Sequence, residues 1–178
     1  MIFVCPLSRV EEMIASHKPG RVISLLDPEW SFPELGDRYL GRHLRLHLHD
    51  ICFPEESLVE PGTDHVDELL TFLGAWDKNE ALLIHCRAGI SRSTATAFIA
   101  ACFAHPEIDE HEIAVVLRRV APAARPNQRL IAMADRAMQR DGRMIAAITT
   151  TGRDLPWPDV EEGDSFGMPS TYQRAHES

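Results

Sequence analysis

Cys86 is followed by five residues and then an arginine, in the run Ile84-His85-Cys86-Arg87-Ala88-Gly89-Ile90-Ser91-Arg92-Ser93. A thiol and a guanidinium at this spacing suit attack on a phosphate ester. Thiolate is a strong nucleophile, and the planar guanidinium grips phosphate oxygens with two parallel donors. An apolar strand candidate precedes the run and an apolar helix candidate follows it. A loop in that setting turns its backbone N–H groups inward, and with the helix dipole they make an anion site. The amides of Arg87, Ala88, Gly89, Ile90, Ser91 and Arg92 are therefore expected to bind substrate. Gly89 lets the loop curl with no Cβ in the way. The field that attracts phosphate also favours thiolate over thiol. Arg92 is expected to reach back over the phosphate. Ser93 is placed to donate its hydroxyl to the Cys86 sulfur when a thiophosphate breaks. His85 is expected to order the loop through hydrogen bonds, because an ionised nucleophile needs no base.

Such a reaction also needs an acid for the leaving oxygen and a base for the water that follows. One carboxyl group can do both in turn. Asp50 is the first candidate, because it ends an alternating strand and opens a proline-rich loop at the edge where such sites form. Glu55 and Glu56, in the same loop, are the reserve candidates.

The elements that position these groups can be read from periodicity. Residues 2–5, 21–26, 43–48 and 81–85 read as strands, the last as the central one. Residues 8–17 read as a helix with Ser8 and Glu11 forming a capping box. Residues 63–76 have helical spacing at Val66, Leu69, Leu70, Leu73 and Trp76, with Thr63 as cap. Further helices are expected at about 92–104, 109–120 and 128–148. Strands separated by helices, then a helical second half, predict an α/β fold with a central, mainly parallel sheet flanked by helices. The expected organisation is one domain over residues 1–150 and an irregular tail over 151–178, with Leu155 and Trp157 as local docking points.

At these residues the chain resembles the protein tyrosine phosphatase superfamily, in its dual-specificity-like branch. His85 to Ser93 is similar to that family's HCxxGxxR[ST] signature without a mismatch. The resemblance implies Cys86 as nucleophile, Arg92 as phosphate ligand and Ser93 as helper in thiolate release, with no metal or cofactor. The family's general acid lies some thirty-odd residues before the signature, as Asp50 does. Arg125-Pro126-Asn127 resembles a proline-asparagine element of that branch, which makes Asn127, or Gln128, a candidate for positioning water. Nothing resembles the asparagine-arginine-tyrosine substrate loop of the larger tyrosine-specific enzymes, which implies a shallower pocket. The loop also lacks the lysines of phosphoinositide-directed relatives, which disfavours a lipid substrate.

The 178-residue chain is 44% hydrophobic and 25% charged, with a formal net charge of -9. That balance disfavours nucleic acid or an anionic membrane as partner. No apolar run is long enough to span a bilayer, and the start lacks a signal-peptide pattern. A cytoplasmic location with reduced thiols is expected. Cys5 and Cys52 are either packing residues or redox partners of Cys86, and Cys102 reads as core. His43, His47 and His49 alternate, which suits solvated strand positions more often than a metal site. Arg118, Arg119 and Arg125 are candidates for a positive rim. The substrate class expected is a phosphorylated protein or small phosphate ester, with phosphotyrosine favoured. The competing readings are a rhodanese-like sulfurtransferase and a non-catalytic phosphate-binding module. Oligomeric state is left open.

Overall fold

Three aliphatic runs and one alternating run form parallel strands. They are β1 (Ile2–Pro6), β2 (Arg21–Leu26), β3 (His43–His47) and β4 (Leu82–Cys86). A fifth strand, β5 (Phe166–Met168), adds antiparallel to β1, giving the order β3-β2-β4-β1-β5. The computed structural model describes residues 1–152 and 159–171. The α/β architecture with a mainly parallel central sheet is as the sequence predicts.

Helices cover both faces, as a parallel sheet requires. Helix α1 (Val10–His17) packs on one face with Cys5, Val22, Leu83 and Tyr39. The other face carries α2 (Thr63–Gly74), α3 (Arg92–Ala104), α4 (Glu110–Val120), α5 (Gln128–Ala137) and α6 (Arg143–Gly152). Helix α3 is buried along almost its whole length. Its small Ser, Thr and Ala residues let it lie close under β4 while its neighbours pack around it, the behaviour of a core helix. Phe98 supplies its largest buried side chain.

Four boundaries differ from the expectations. Ser8 does not cap α1. A 3-10 turn, Leu7–Arg9, comes first, and the Ser8 hydroxyl donates instead to Glu162 at 2.6 Å. Helix α2 begins at Thr63, but its cap is Gly62, whose N–H donates to His65 Nδ1 at 3.0 Å. The single helix expected over 128–148 is two. Gln139, Asp141 and Gly142 have positive φ, and the Asp135 carboxylate accepts from the N–H groups of Gly142 and Met144, both at 2.7 Å. The periodicity runs on across the break because both helices bury the same kind of face.

The fourth difference is in the tail. Residues 166–168 form β5, with Met168 fully buried, where the sequence suggests irregular chain. Three residues are too few for a period, so pairing with β1 decides their conformation. Ser170 anchors the end of this segment. Its hydroxyl accepts from the Met1 ammonium at 2.6 Å and donates to Lys78 O at 3.0 Å. The docking expected of Leu155 and Trp157 lies outside the described residues.

Candidate active site

Cys86 is the last residue of β4, and Arg92 is the first of α3. Residues 87–91 between them form the loop. Four of its carbonyls are hydrogen-bonded by four separate parts of the chain. Arg87 O accepts from Leu7 N at 3.0 Å, Ala88 O from Gly163 N at 2.8 Å, and Ile90 O from Arg125 N at 2.9 Å. Ser91 O accepts from Asn127 N at 3.3 Å. Thr94 Oγ1, one turn into α3, donates to Ile90 O and Ser91 O at 2.6 and 2.9 Å. With the carbonyls so engaged, the amides are what the loop can offer an anion. Gly89 has φ +73°, and a Cβ there would stand 2.8 Å from the Pro6 nitrogen, so only glycine fits.

The Cys86 thiol is buried, with its sulfur 3.1 Å from Ser93 Oγ and 3.2 Å from the Gly89 N–H, which donates to it. Arg92 is 4% exposed. Its Nη1 donates to Asp27 Oδ1 at 2.9 Å and to Leu48 O at 2.6 Å, and its Nη2 leans on Asp27 Oδ2 at 3.4 Å. Both Nη1 protons are thereby used. The buried Nε has no hydrogen-bond partner. The Nε–Nη2 edge is one of the two forks by which a guanidinium holds two oxygens of one anion.

Asp50 stands three residues beyond β3 and is exposed, yet it is tied to the loop. Its Oδ1 accepts from Ser91 Oγ at 2.7 Å and from Asn127 Nδ2 at 2.8 Å. Asn127 also caps α5, its Oδ1 accepting from Leu130 N at 3.0 Å. The side chain expected to position water therefore anchors the Asp50 segment, and its Nδ2 also reaches Ile51 O at 3.3 Å. Glu55 and Glu56 are exposed on the turn beyond. Gln128 joins Asp50, Cys52, Ser91, Arg118 and Arg125 around a cavity of about 550 Å³ beside the loop. Arg118 is partly buried there, and burial together with the charge of Arg125 pushes its pKa down. Arg119 is exposed.

His85 is fully buried on the opposite side of the sheet from the sulfur. Its Nε2 lies 2.5 Å from Ser24 Oγ. Burial pushes its pKa down to about 4, against a smaller upward pull from the Cys86 backbone. Cys5 pairs in register with His85 and belongs to the α1-side core, whereas Cys86 belongs to the other. Burial and the neighbouring Cys86 push the Cys5 thiol up to about 12. All four cysteines are free, and Cys52 is exposed. Cys102 is core, its pKa raised by burial. The alternating histidines take different hydrogen-bond partners. His43 meets Ser24, His47 meets Asp27 O and the Phe32 ring, and His49 accepts from Val59 N.

Sequence reasoning missed Asp27, the Leu48 carbonyl and Trp30. Asp27 follows β2 at the same sheet edge where Asp50 follows β3 and Cys86 ends β4, and that shared edge was the available signal. Trp30, three residues on, lies under the exposed Arg87 guanidinium, 4.8 Å from its ring centroid.

No protein-family model matches the chain, and no curated protein does. Solved structures do. DUSP15 matches with TM-score 0.59 at 18% identity, over 88% of this chain and 94% of its own. A human tyrosine phosphatase-like serine/threonine/tyrosine-interacting protein matches with TM-score 0.61 at 18% identity, over 79% and 92%. The PTP-2 phosphatase of Cydia pomonella matches with TM-score 0.54 at 20% identity, over 75% and 83%. The chain has the protein tyrosine phosphatase fold in its dual-specificity-like form.

Proposed function

We propose that the protein is a cysteine-dependent phosphoric monoester hydrolase of the tyrosine and dual-specificity phosphatase type. The observation that carries this reading is the Cys86 sulfur accepting from the Gly89 N–H with the Ser93 hydroxyl beside it, next to a guanidinium edge with a buried, unpartnered Nε–H. The Cys86 thiolate attacks phosphorus. The ester P–O bond breaks, and the leaving oxygen takes a proton from the Asp50 carboxyl. Water then attacks the thiophosphate and gives its proton to the Asp50 carboxylate. The P–S bond breaks, Ser93 donates to the departing thiolate, and inorganic phosphate leaves. Arg92 and the amides of residues 87–92 hold the phosphoryl oxygens throughout, where charge is greatest.

The fold by itself leaves the choice between catalysis and binding open, since one neighbour is described as phosphatase-like and interacting. Turnover of p-nitrophenyl phosphate against sulfur transfer from thiosulfate to cyanide separates hydrolase from sulfurtransferase. Cys86→Ser should abolish hydrolysis and retain phosphate binding in a thermal-shift titration. Near-normal hydrolysis by that variant overturns the assignment, and wild-type binding of phosphate without hydrolysis leaves a binding module. Asp50→Asn should lower kcat by about 10²- to 10⁴-fold for poor leaving groups, the usual yield of general acid catalysis. An unchanged rate moves that role to Glu55 or Glu56. The Trp30–Arg87 pair at the rim supports phosphotyrosine as the favoured substrate, because an aromatic ring can pack there. Phosphotyrosine and phosphothreonine peptides of one sequence compare this directly.

A further inference from the structure

A polar row crosses the α1 face of an otherwise aliphatic sheet. Arg45 on β3 stands opposite Ser24 on β2, Ser24 opposite His85 on β4, and His85 opposite Cys5 on β1. His43, two residues before Arg45, leans into the same row. Its Nε2 lies 2.7 Å from Ser24 Oγ, and Ser24 Oγ lies 2.5 Å from His85 Nε2. Arg45 Nε donates to His43 Nδ1 at 3.1 Å.

The proton on each atom of this row follows from the first link. A guanidinium has donors only, so His43 Nδ1 must accept. A His43 ring that accepts at Nδ1 is neutral and carries its proton on Nε2. That Nε2–H donates to Ser24 Oγ. The single hydroxyl proton of Ser24 is then free to go to His85 Nε2. His85 accepts at Nε2, so its own proton is on Nδ1. Burial keeps both rings neutral at pH 7, with pKa values of about 4. His85 Nδ1 is buried and has no hydrogen-bond partner. The remaining ionisable neighbour, Cys5, stays a neutral thiol.

We propose that Arg45, His43 and Ser24 form a hydrogen-bond relay that fixes His85, the neighbour of Cys86, as its Nδ1–H tautomer. Ser24 and His43 are positioning residues, acting through His85 on Cys86. The catalytic consequence rests on the proposed nucleophile, whereas the tautomers can be read without any turnover.

Long-range proton–nitrogen correlation spectra of the full chain, with ¹⁵N-labelled histidine at pH 7, test the relay. The expected result is His43 as Nε2–H and His85 as Nδ1–H. His85 as Nε2–H, or a mixture in either ring, overturns the proposal. Arg45 is exposed, so Arg45→Met should fold. It should turn both signals into tautomer mixtures, and an unchanged His85 signal overturns the relay. Ser24→Ala should slow alkylation of Cys86 by iodoacetate at pH 6 by about tenfold, the lower end for lost partners that orient a functional histidine. Ser24→Thr should recover the rate, and an unchanged rate in Ser24→Ala is a second refutation. The spectra can be recorded equally on Cys86→Ser, so failure of the relay and failure of the phosphatase reading are separate results.

Discussion

Arg92 and Asp27 form a buried ion pair whose geometry has a cost if either partner goes. Asp27 is 15% exposed and Arg92 4%. Removing one partner of such a pair leaves a charge with no counterion in a poor solvent for it, typically at about 3–5 kcal/mol. Asp27→Asn should therefore destabilise the protein by about 3 kcal/mol in urea unfolding. Added phosphate should restore part of that loss, because it supplies the missing negative charge at the same guanidinium. Gly89→Ala tests the loop's shape. A φ of +73° combined with a Cβ 2.8 Å from the Pro6 nitrogen should cost on the order of 1–3 kcal/mol, with weaker phosphate binding in the same variant.

At the scale of elements, the loop depends on the segment that ends in β5. Gly163 N donates to Ala88 O, and a Cβ at Gly163 would press on Ile90 Cγ1 at 3.2 Å and Gly89 O at 3.3 Å. Met168 is fully buried against the core beside β1. Met168→Ala should cost about 2–5 kcal/mol by urea unfolding, as buried methionine truncations do. A chain ending at residue 158 should bind phosphate more weakly than the full chain as well as melt earlier. An unchanged affinity would show that the Ala88 carbonyl does not need its partner. These elements also mark what the sequence could convey. The strands, α3 and the loop were legible because their apolar runs and the Cys86-to-Arg92 spacing are local patterns. That Asp50 stands beside the loop could be read from its place after an alternating strand. Asp27 was hidden because its partner is distant in sequence, and nothing local distinguishes an ion-pair aspartate from a turn aspartate. The α5–α6 break was hidden because Asp135 makes it by reaching forward to backbone N–H groups that no periodicity reveals.

Across the whole molecule, charge and burial set the pH range of stability. The chain carries a formal charge of -9, and among the described residues no helix is long and apolar enough to cross a membrane. His85, buried neutral, has its pKa lowered from 6.5 to about 4. Between those values the unfolded chain binds a proton that the folded chain refuses. Stability should therefore rise as pH climbs from 4 to 6.5 and level off above, with His85 contributing on the order of 3 kcal/mol at the plateau. Half-buried His43 adds to the same trend to a smaller extent. Urea midpoints measured across that range check the direction, and a stability that falls with rising pH there contradicts the burial.

Four carbonyls of the loop between β4 and α3 are clasped by residues near positions 7, 94, 125 and 163, which between them sample the length of the chain. Occupancy of the cradle and integrity of the fold thus share one equilibrium. A bound oxyanion should raise the melting temperature in proportion to the logarithm of its concentration once the site is saturated. Heat, in turn, should empty the cradle in the same transition that melts the sheet.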